Sequence, residues 1–209
     1  MLVPTSFLAL LIATSAHPQK RAGGSQPTTW IKLCETANAV TKGIDGKDEK
    51  KQVNICLTHH ERLDDSGMVL MSAAVRQIEG QDKKHFMVMV PLGMQIKPGM
   101  QVNIDPKDLW EAASPEQRRF EERDDGRLMS LKLAYTLCHA AGCVAEMEAT
   151  QGILSSLETS GGFMVRTTNE VGASADFSVS LEGFAQAFEG PPSSPQTRAR
   201  FTRRATPIY

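Results

Sequence analysis

The sequence predicts an all-β protein: a β-sandwich with short helical insertions, exported and pinned by disulfides. Three observations carry that prediction. Strand-length apolar or alternating runs recur along the middle of the chain, separated by turn residues. Four cysteines sit in or beside those runs. The chain opens on an apolar stretch with the length of an export signal. At 209 residues with 41% apolar content, it is long enough for one domain with a core of its own and short for two.

Residues 1–16 are expected to be a signal peptide. The dense apolar run from Phe7 to Ala13 is too short to span a bilayer comfortably, and Thr14 and Ala16 are small residues at cleavage-site spacing. No Lys or Arg precedes the run, a departure from the usual signal pattern. A frayed apolar strand is the other reading. Residues 17–27 then form a polar, flexible leader, and the domain is expected over 28–189.

Within it, Thr28 to Cys34 is short, β-branched and aromatic. Gln52 to Leu57 alternates, with Val53, Ile55 and Leu57 on one face. Met68 to Ile78 alternates as well. His85 to Leu92 is nearly all apolar, as a strand covered on both faces would be. Lys97-Pro98-Gly99-Met100 reads as a turn joining Met94–Ile96 to Val102–Ile104 in a hairpin. Leu128 to Leu137, Cys143 to Ala149, Phe163 to Thr167 and Ala175 to Leu181 complete the strands. Runs of this kind favour a sandwich or barrel over an α/β fold.

Helix is expected to be minor. Residues 106–126 form a charged insertion, in which Ser114-Pro115-Glu116-Gln117 has the look of an N-cap and first turn. A short surface helix is therefore expected over Pro115 to Arg123. Ile153 to Leu157 and Gly183 to Phe188 are two further helical turns. Residues 190–209 are expected to be a disordered, basic tail, with Arg198, Arg200, Arg203 and Arg204. Contact with anionic lipid, lipopolysaccharide, peptidoglycan or nucleic acid is its functional reading, and membrane association is expected where lipid is the target. A solvated extension without a task is the favoured alternative.

Cys34, Cys56, Cys138 and Cys143 permit three pairings. Cys138 and Cys143 bracket a segment with the length and composition of a tight turn, which brings their Cβ atoms near bonding range. The preferred pairing is therefore Cys138–Cys143 with Cys34–Cys56. A zinc site of four thiolates is the rival, although its spacing fits poorly.

Chemical constellations are few, and neither catalytic residues nor a cofactor are expected. His59-His60 is the best metal candidate, with Asp64 nearby. Neighbours in a strand point to opposite faces, so a surface-loop pair is the favoured reading. His139 beside Cys138 cannot act with an oxidised thiol. Asp64-Asp65 and Asp124-Asp125 fit turns. Gly161-Gly162 lacks the lysine and helix of a phosphate loop. Met87 and Met89 share a face opposite Val88 and Val90, and core packing is favoured over an exposed patch. Net charge is −1, which gives no electrostatic case for nucleic acid; a small-molecule substrate is not expected either.

Four stretches, in order, resemble the invasion-associated locus B family of bacterial exported proteins. They are Trp30-Ile31-Lys32-Leu33-Cys34; Val90-Pro91-Leu92-Gly93-Met94 continuing to Gly99-Met100-Gln101-Val102-Asn103-Ile104-Asp105; Cys138-His139-Ala140-Ala141-Gly142-Cys143-Val144-Ala145; and Val179-Ser180-Leu181-Glu182-Gly183-Phe184. Together they span about Thr28 to Phe188. The resemblance implies an immunoglobulin-like β-sandwich, a place in the periplasm or at the outer membrane or cell surface of a Gram-negative bacterium, and a role linked to host-cell invasion in pathogens. It brings no catalytic residues. The charged segment Pro106 to Asp125 is longer than the usual connection, and the basic tail is an addition.

The leading functional expectation is a non-catalytic envelope protein that acts through contacts with a protein partner or envelope component. The insertion supplies candidate partner-binding residues: Trp110 and Phe120 as aromatic anchors, with Arg118 and Arg119 beside them. Both rings could equally pack the insertion against the domain. A metal-dependent periplasmic enzyme using His59, His60 and Asp64 is one alternative. An accessory subunit of a periplasmic or membrane complex, docked by the insertion and tail, is another.

Overall fold

A computed structural model describes residues 29–42, 48–64, 66–122 and 126–193. The expected signal peptide, the leader up to residue 27 and the tail from 194 onward lie outside the described residues, as do Asp65, Asp124 and Asp125. The described chain runs β1 (Ile31–Lys42), β2 (Asp48–Leu63), β3 (Val69–Ile78), β4 (His85–Val90), β5 (Met100–Asp105), α1 (Lys107–Ala112), β6 (Met129–His139), β7 (Gly142–Glu148), α2 (Gln151–Thr159), β8 (Gly162–Thr168), β9 (Ser174–Ser180) and α3 (Phe184–Glu189). Among the described residues no helix is long and apolar enough to cross a membrane.

The strands pair antiparallel in the order β1-β2-β3-β4-β7-β6-β5-β8-β9. The all-β expectation holds. The pairing runs as one continuous ladder, because β6 bonds to β7 through its second half and to β5 through its first. A shift in register between Tyr135 and Leu137 lets β6 change neighbours, since a bulge bends its strand and increases the local twist.

The curl brings the two ends of the ladder together around one core. Phe86 of β4 meets Phe163 of β8 edge to face, with ring centroids 5.6 Å apart. Val75, Val88, Val102, Ala145 and Val165, all fully buried, fill the space between. The strands are alternating where one face is wet and nearly all apolar at the centre, as burial on one or two faces demands. β4, central between β3 and β7, turns Phe86, Val88 and Val90 to the main core and Met89 to the opposite face, where it too is buried. The two valines and two methionines thus take the opposite faces expected of them.

The helices close the ends. Thr150 caps α2 by accepting from the Ile153 amide, and Ile153, Leu154 and Leu157 enter the core. α3 carries Phe184 and Phe188, stacked at 5.4 Å. Lys32 of β1 donates through Nζ to the carbonyls of Phe188 and Gly190 at 2.9 and 3.1 Å, satisfying groups that a helix end leaves without partners. Both helices appear where expected, α2 longer at each end and α3 shifted by one residue.

Trp30 seals the curl. It is 3% exposed, its indole donates to Ser180 O of β9 at 2.8 Å, and its ring meets Phe184 at 4.9 Å and His60 at 5.1 Å. Arg62 of β2 donates to Ser178 Oγ of β9. β9 is therefore met by Trp30, just ahead of β1, and by Arg62 of β2.

Both expected disulfides are present: Cys34–Cys56 and Cys138–Cys143. Each joins residues directly opposite in a ladder. The turn between Cys138 and Cys143 is Ala140-Ala141, flanked by the pair His139 and Gly142. With no free cysteine, the four-thiolate zinc reading falls.

Two expectations are corrected. Met94–Ile96 and Val102–Ile104 form no hairpin. Met94 bridges to Asn169, and β5 lies between β6 and β8, so residues 91–99 cross from one part of the ladder to another. The insertion's helix is also elsewhere: it spans Lys107–Ala112, directly after Pro106, and Ser114 to Gln117 makes only one turn.

Candidate functional site

The insertion between β5 and β6 builds a small layer on the outer face of β5 and β8. On those strands Val102, Ile104, Phe163 and Val165 point to the main core. Asn103, Met164 and Arg166 alternate to the other side, by the two-residue period of a strand. They receive the insertion.

Trp110, on α1, is 5% exposed and packs with Phe120 and Met164 in a cluster separate from the main core. Its floor is backbone: a Cβ at Gly162 would lie 2.3 Å from the indole, and one at Gly161 2.5 Å from the Trp110 Cβ and 2.9 Å from the indole. Only glycine allows this approach. Arg118 stacks its guanidinium over the indole, 4.0 Å from the centroid, and donates to Trp110 O at 3.3 Å. Arg166 does the same for Phe120 at 4.5 Å, while its guanidinium is held by both oxygens of Asp176 at 2.8 and 2.7 Å. Asn103 donates to Glu121 O at 2.6 Å and accepts from Ser130 Oγ at 2.9 Å. Arg127 and Asp108 pair at 2.6 Å. Cation–π contacts and a bidentate ion pair fix orientation as well as adding energy.

Electrostatics follow from these contacts. The Arg127 guanidinium holds the Asp108 carboxyl below its usual range. Hydrogen bonding to Asp176 raises Arg166. Partial burial lowers Arg118, against the pull of Asp105 and Glu116; it remains a cation at neutral pH because arginine starts so high. A cavity of about 60 Å³ lies between α1 and the strand face, rimmed by Asn103, Asp105, Gln117, Arg118, Arg119 and Glu121.

The structure thus brings together all four residues predicted for partner contact and divides their roles. Trp110 and Phe120 are covered, so the reading of an exposed aromatic site gives way to the other one, that they pack the insertion. Arg118 is half-buried and Arg119 exposed. Sequence reasoning missed the Gly161-Gly162 floor, the Asn103 anchor and the Arg166–Asp176 clamp. The glycine pair was visible, but nothing in the sequence joined it to Trp110.

The histidine constellation is not assembled. His59 and His60 lie in β2, not in a surface loop, and they point to opposite faces. His60 is buried and packs against Trp30 with the rings tilted by 32°. Asp64 accepts from Ser66 and from the Met68 amide in a turn, which matches the turn reading of that carboxylate. Among the described residues no three His, Cys, Asp or Glu side chains are grouped to hold a metal.

His59 sits 3.7 Å from Glu61 on its own face of β2. Burial pushes the imidazole down to about 4, so it is neutral near pH 7 and the contact is not an ion pair. Below pH 6.5 the unfolded chain takes up a proton that the folded chain refuses until about pH 4. Stability present above pH 6.5 is lost across that window, by about 3 kcal/mol in full. Burial raises Glu61, which acts in the opposite sense on acidification and offsets part of the loss. The midpoint of urea unfolding should therefore fall from pH 6.5 to pH 4, and His59→Gln should flatten the fall. An unchanged slope in that variant would place the acid sensitivity elsewhere.

A family model described as invasion associated locus B (IalB) protein matches residues 30–114 and 124–192. No curated protein matches the chain. Among solved structures, a crystal structure of invasion associated protein B from Bartonella henselae is similar over 84% of this chain and 97% of that chain, with 14% sequence identity and a TM-score of 0.49. The two stretches matched by the family model leave residues 115–123 between them, the segment that carries Arg118, Arg119 and Phe120.

Proposed function

Because this chain belongs to the invasion associated locus B family, we propose that it is an exported, non-catalytic protein of the cell envelope that works by binding a protein partner through its insertion. The family links the chain to host invasion. Two oxidised cysteine pairs support a compartment outside the cytosol, and the periplasm or outer surface of the envelope is the proposed place. The facing halves of the curled sheet, with Phe86 against Phe163, support a sandwich-like reading of the packing.

The observation that carries the proposal is the clamped insertion. Its rings, its guanidinium stacks and Asn103 hold residues 107–122 rigid on the strand face, while Gln117 and Arg119 stay exposed. A rigid, charged rim above a covered aromatic floor suits recognition, because little ordering remains to be done on binding. Residues 115–123 lie outside the family match, so partner choice is assigned to this chain's own segment. An acidic surface is the chemistry that Arg118 and Arg119 would meet.

The test is binding of the exported, oxidised protein to host-cell surfaces and to envelope extracts. Arg119→Glu should weaken saturable binding by about tenfold, since an exposed charge reversed at an interface costs on the order of 1 kcal/mol or more. Its circular dichroism and unfolding midpoint should match the parent. Equal binding by the variant would remove the insertion from the interface.

A further inference from the structure

We propose that the end of the sheet formed by the β2–β3, β4–β5 and β8–β9 connections docks on an anionic lipid bilayer, with Met68, Leu92, Ile96 and Val171 entering the lipid interface. These four are 68%, 54%, 53% and 80% exposed. A single exposed apolar side chain is ordinary on a protein surface. Here four of the six large apolar side chains exposed among the described residues share one end; Val40 and Leu137 are the other two.

The pairing places them together. Ser72 lies opposite Met89, so β4 ends beside the start of β3, and Leu92 leaves the sheet next to the turn that carries Met68. Met94 then bridges to Asn169. Glu170 donates to Gly93 O, and Gln95 to Thr168 O, both at 2.8 Å. Leu92 and Ile96 therefore flank a segment bonded to the β8–β9 turn, on which Val171 stands. On these three connections the exposed charged residues, among those described, are Lys97 and Glu170. The turn at the other end of β3 and β4 reads Glu79-Gly80-Gln81-Asp82-Lys83-Lys84, with four charges in six residues.

The local geometry suits lipid more than a protein partner. Three of the apolar residues adjoin a glycine in the left-handed region: Gly67 before Met68, Gly93 after Leu92 and Gly172 after Val171, at φ 85°, 88° and 82°. The side chains thus stand singly on separate tight turns. A protein would need a matching hollow for each, whereas a fluid interface adapts to them. Backbone that enters such an interface needs its polar groups paired. In the first turn the Asp64 carboxylate accepts from the Ser66 and Met68 amides at 2.8 and 2.9 Å, and the Asp64 amide donates to Met68 O at 2.8 Å. In the last turn Asn169 accepts from the Gly172 amide through its carbonyl and from the Ala173 amide through its side chain.

The sign of the lipid charge follows from the chain beyond Ser193, which is bonded to Lys32 at the β1 edge. Residues 194–209 carry Arg198, Arg200, Arg203 and Arg204 and no acidic residue. A segment of that length spans up to about 50 Å. Lys32 pairs with Thr58, about 17 Å along the strand from Leu63 at the end of β2, so these arginines can reach the plane of the apolar tips. Apolar insertion and a basic segment together attach a protein stably where one signal alone is marginal. The insertion lies at the Asp105–Gly162 end of β5 and β8, opposite the Met94–Asn169 bridge, and so faces away from a bilayer held by the tips.

Co-sedimentation of the exported, oxidised protein with lipid vesicles tests this. Saturable binding is expected to phosphatidylcholine vesicles with added phosphatidylglycerol, and weaker binding to phosphatidylcholine alone. Leu92→Asp and Val171→Asp should each weaken binding by about tenfold or more, with unchanged circular dichroism. Val40→Asp, at an exposed apolar residue elsewhere, should bind as the parent does. Should an aspartate variant misfold, emission decides: Val171→Trp should shift to the blue on vesicles and be quenched by brominated lipid, and Val40→Trp should not. Absence of vesicle binding, binding undiminished by Leu92→Asp and Val171→Asp, equal binding to the two vesicle types, or no quenching in Val171→Trp overturns the proposal. So does capture of a protein through these tips where vesicles do not bind. None of these results bears on the Arg119 test.

Discussion

Trp30→Ala is expected to cost about 3–5 kcal/mol, the range for truncating a buried large aromatic side chain. The ring is almost wholly buried and touches three elements. It packs against His60 of β2 with the rings tilted and meets Phe184 of α3 edge to face, and it donates to Ser180 O of β9. Truncation leaves a cavity between them and strips a buried carbonyl of its donor, which adds a desolvation penalty. Because domains of this size are stable by only about 5–15 kcal/mol, the variant should be near its unfolding threshold at 37 °C. Trp30→Phe separates the two contributions: it keeps most of the packing and loses the hydrogen bond, and should cost about 1–3 kcal/mol. The measurement is urea unfolding of the oxidised proteins, with both disulfides verified. A loss under 1 kcal/mol in Trp30→Ala would mean that Trp30 does not hold β9 in place.

Much of this arrangement was legible before the structure. Strand runs such as His85–Leu92 and Ala175–Leu181 announce themselves because burial dictates their pattern. The cysteine pairing was legible because a short, small-residue turn leaves Cys138 and Cys143 opposite each other. What escaped follows from causes that local pattern does not record. The outer parts of β1 and of β2 before Gln52, where Glu35, Asn38, Val40, Lys50 and Lys51 are exposed, carry no apolar period that marks them as strand. Met94–Ile96 looks like half a hairpin because alternation says that a segment is extended and not whom it pairs with. Ser114-Pro115-Glu116-Gln117 does form a turn, with Gln117 Oε1 accepting from the Ser114 amide. It stops there because Arg118 is drawn onto the Trp110 ring and Phe120 into the cluster with Met164. At the candidate site the four residues were legible as a group, and their burial was not. Whether an aromatic ring in a charged insertion faces solvent depends on the surface beneath it, and here that surface is made by Gly161, Gly162 and Met164, far along the chain.

Trp110→Ala is the second large effect, and it separates folding from binding. The substitution removes the ring that fills the space above Gly161 and Gly162 and leaves Arg118 with nothing to stack on. By the same truncation scale it costs about 3–5 kcal/mol at a site that cannot collapse. This cluster is separate from the main core, and its layer lies outside the strands. Part of the cost should therefore appear as local release of residues 107–122, with the ladder intact, and the global loss should stay below that of Trp30→Ala. Amide hydrogen exchange is the discriminating measurement. In Trp110→Ala, protection should drop at α1 and at the segment around Gln117 to Glu121, and persist in β3, β4 and β7. Partner binding should fall together with that protection, because a loosened insertion must be ordered again when it binds. Gly162→Ala should act in the same direction from the opposite side of the contact, since its new methyl would overlap the indole, at about 1–3 kcal/mol. If exchange rises uniformly over the whole sheet, the insertion is an integral part of the fold's stability. If the insertion loosens and binding is unaffected, the rim at Arg118 and Arg119 is not where the partner sits.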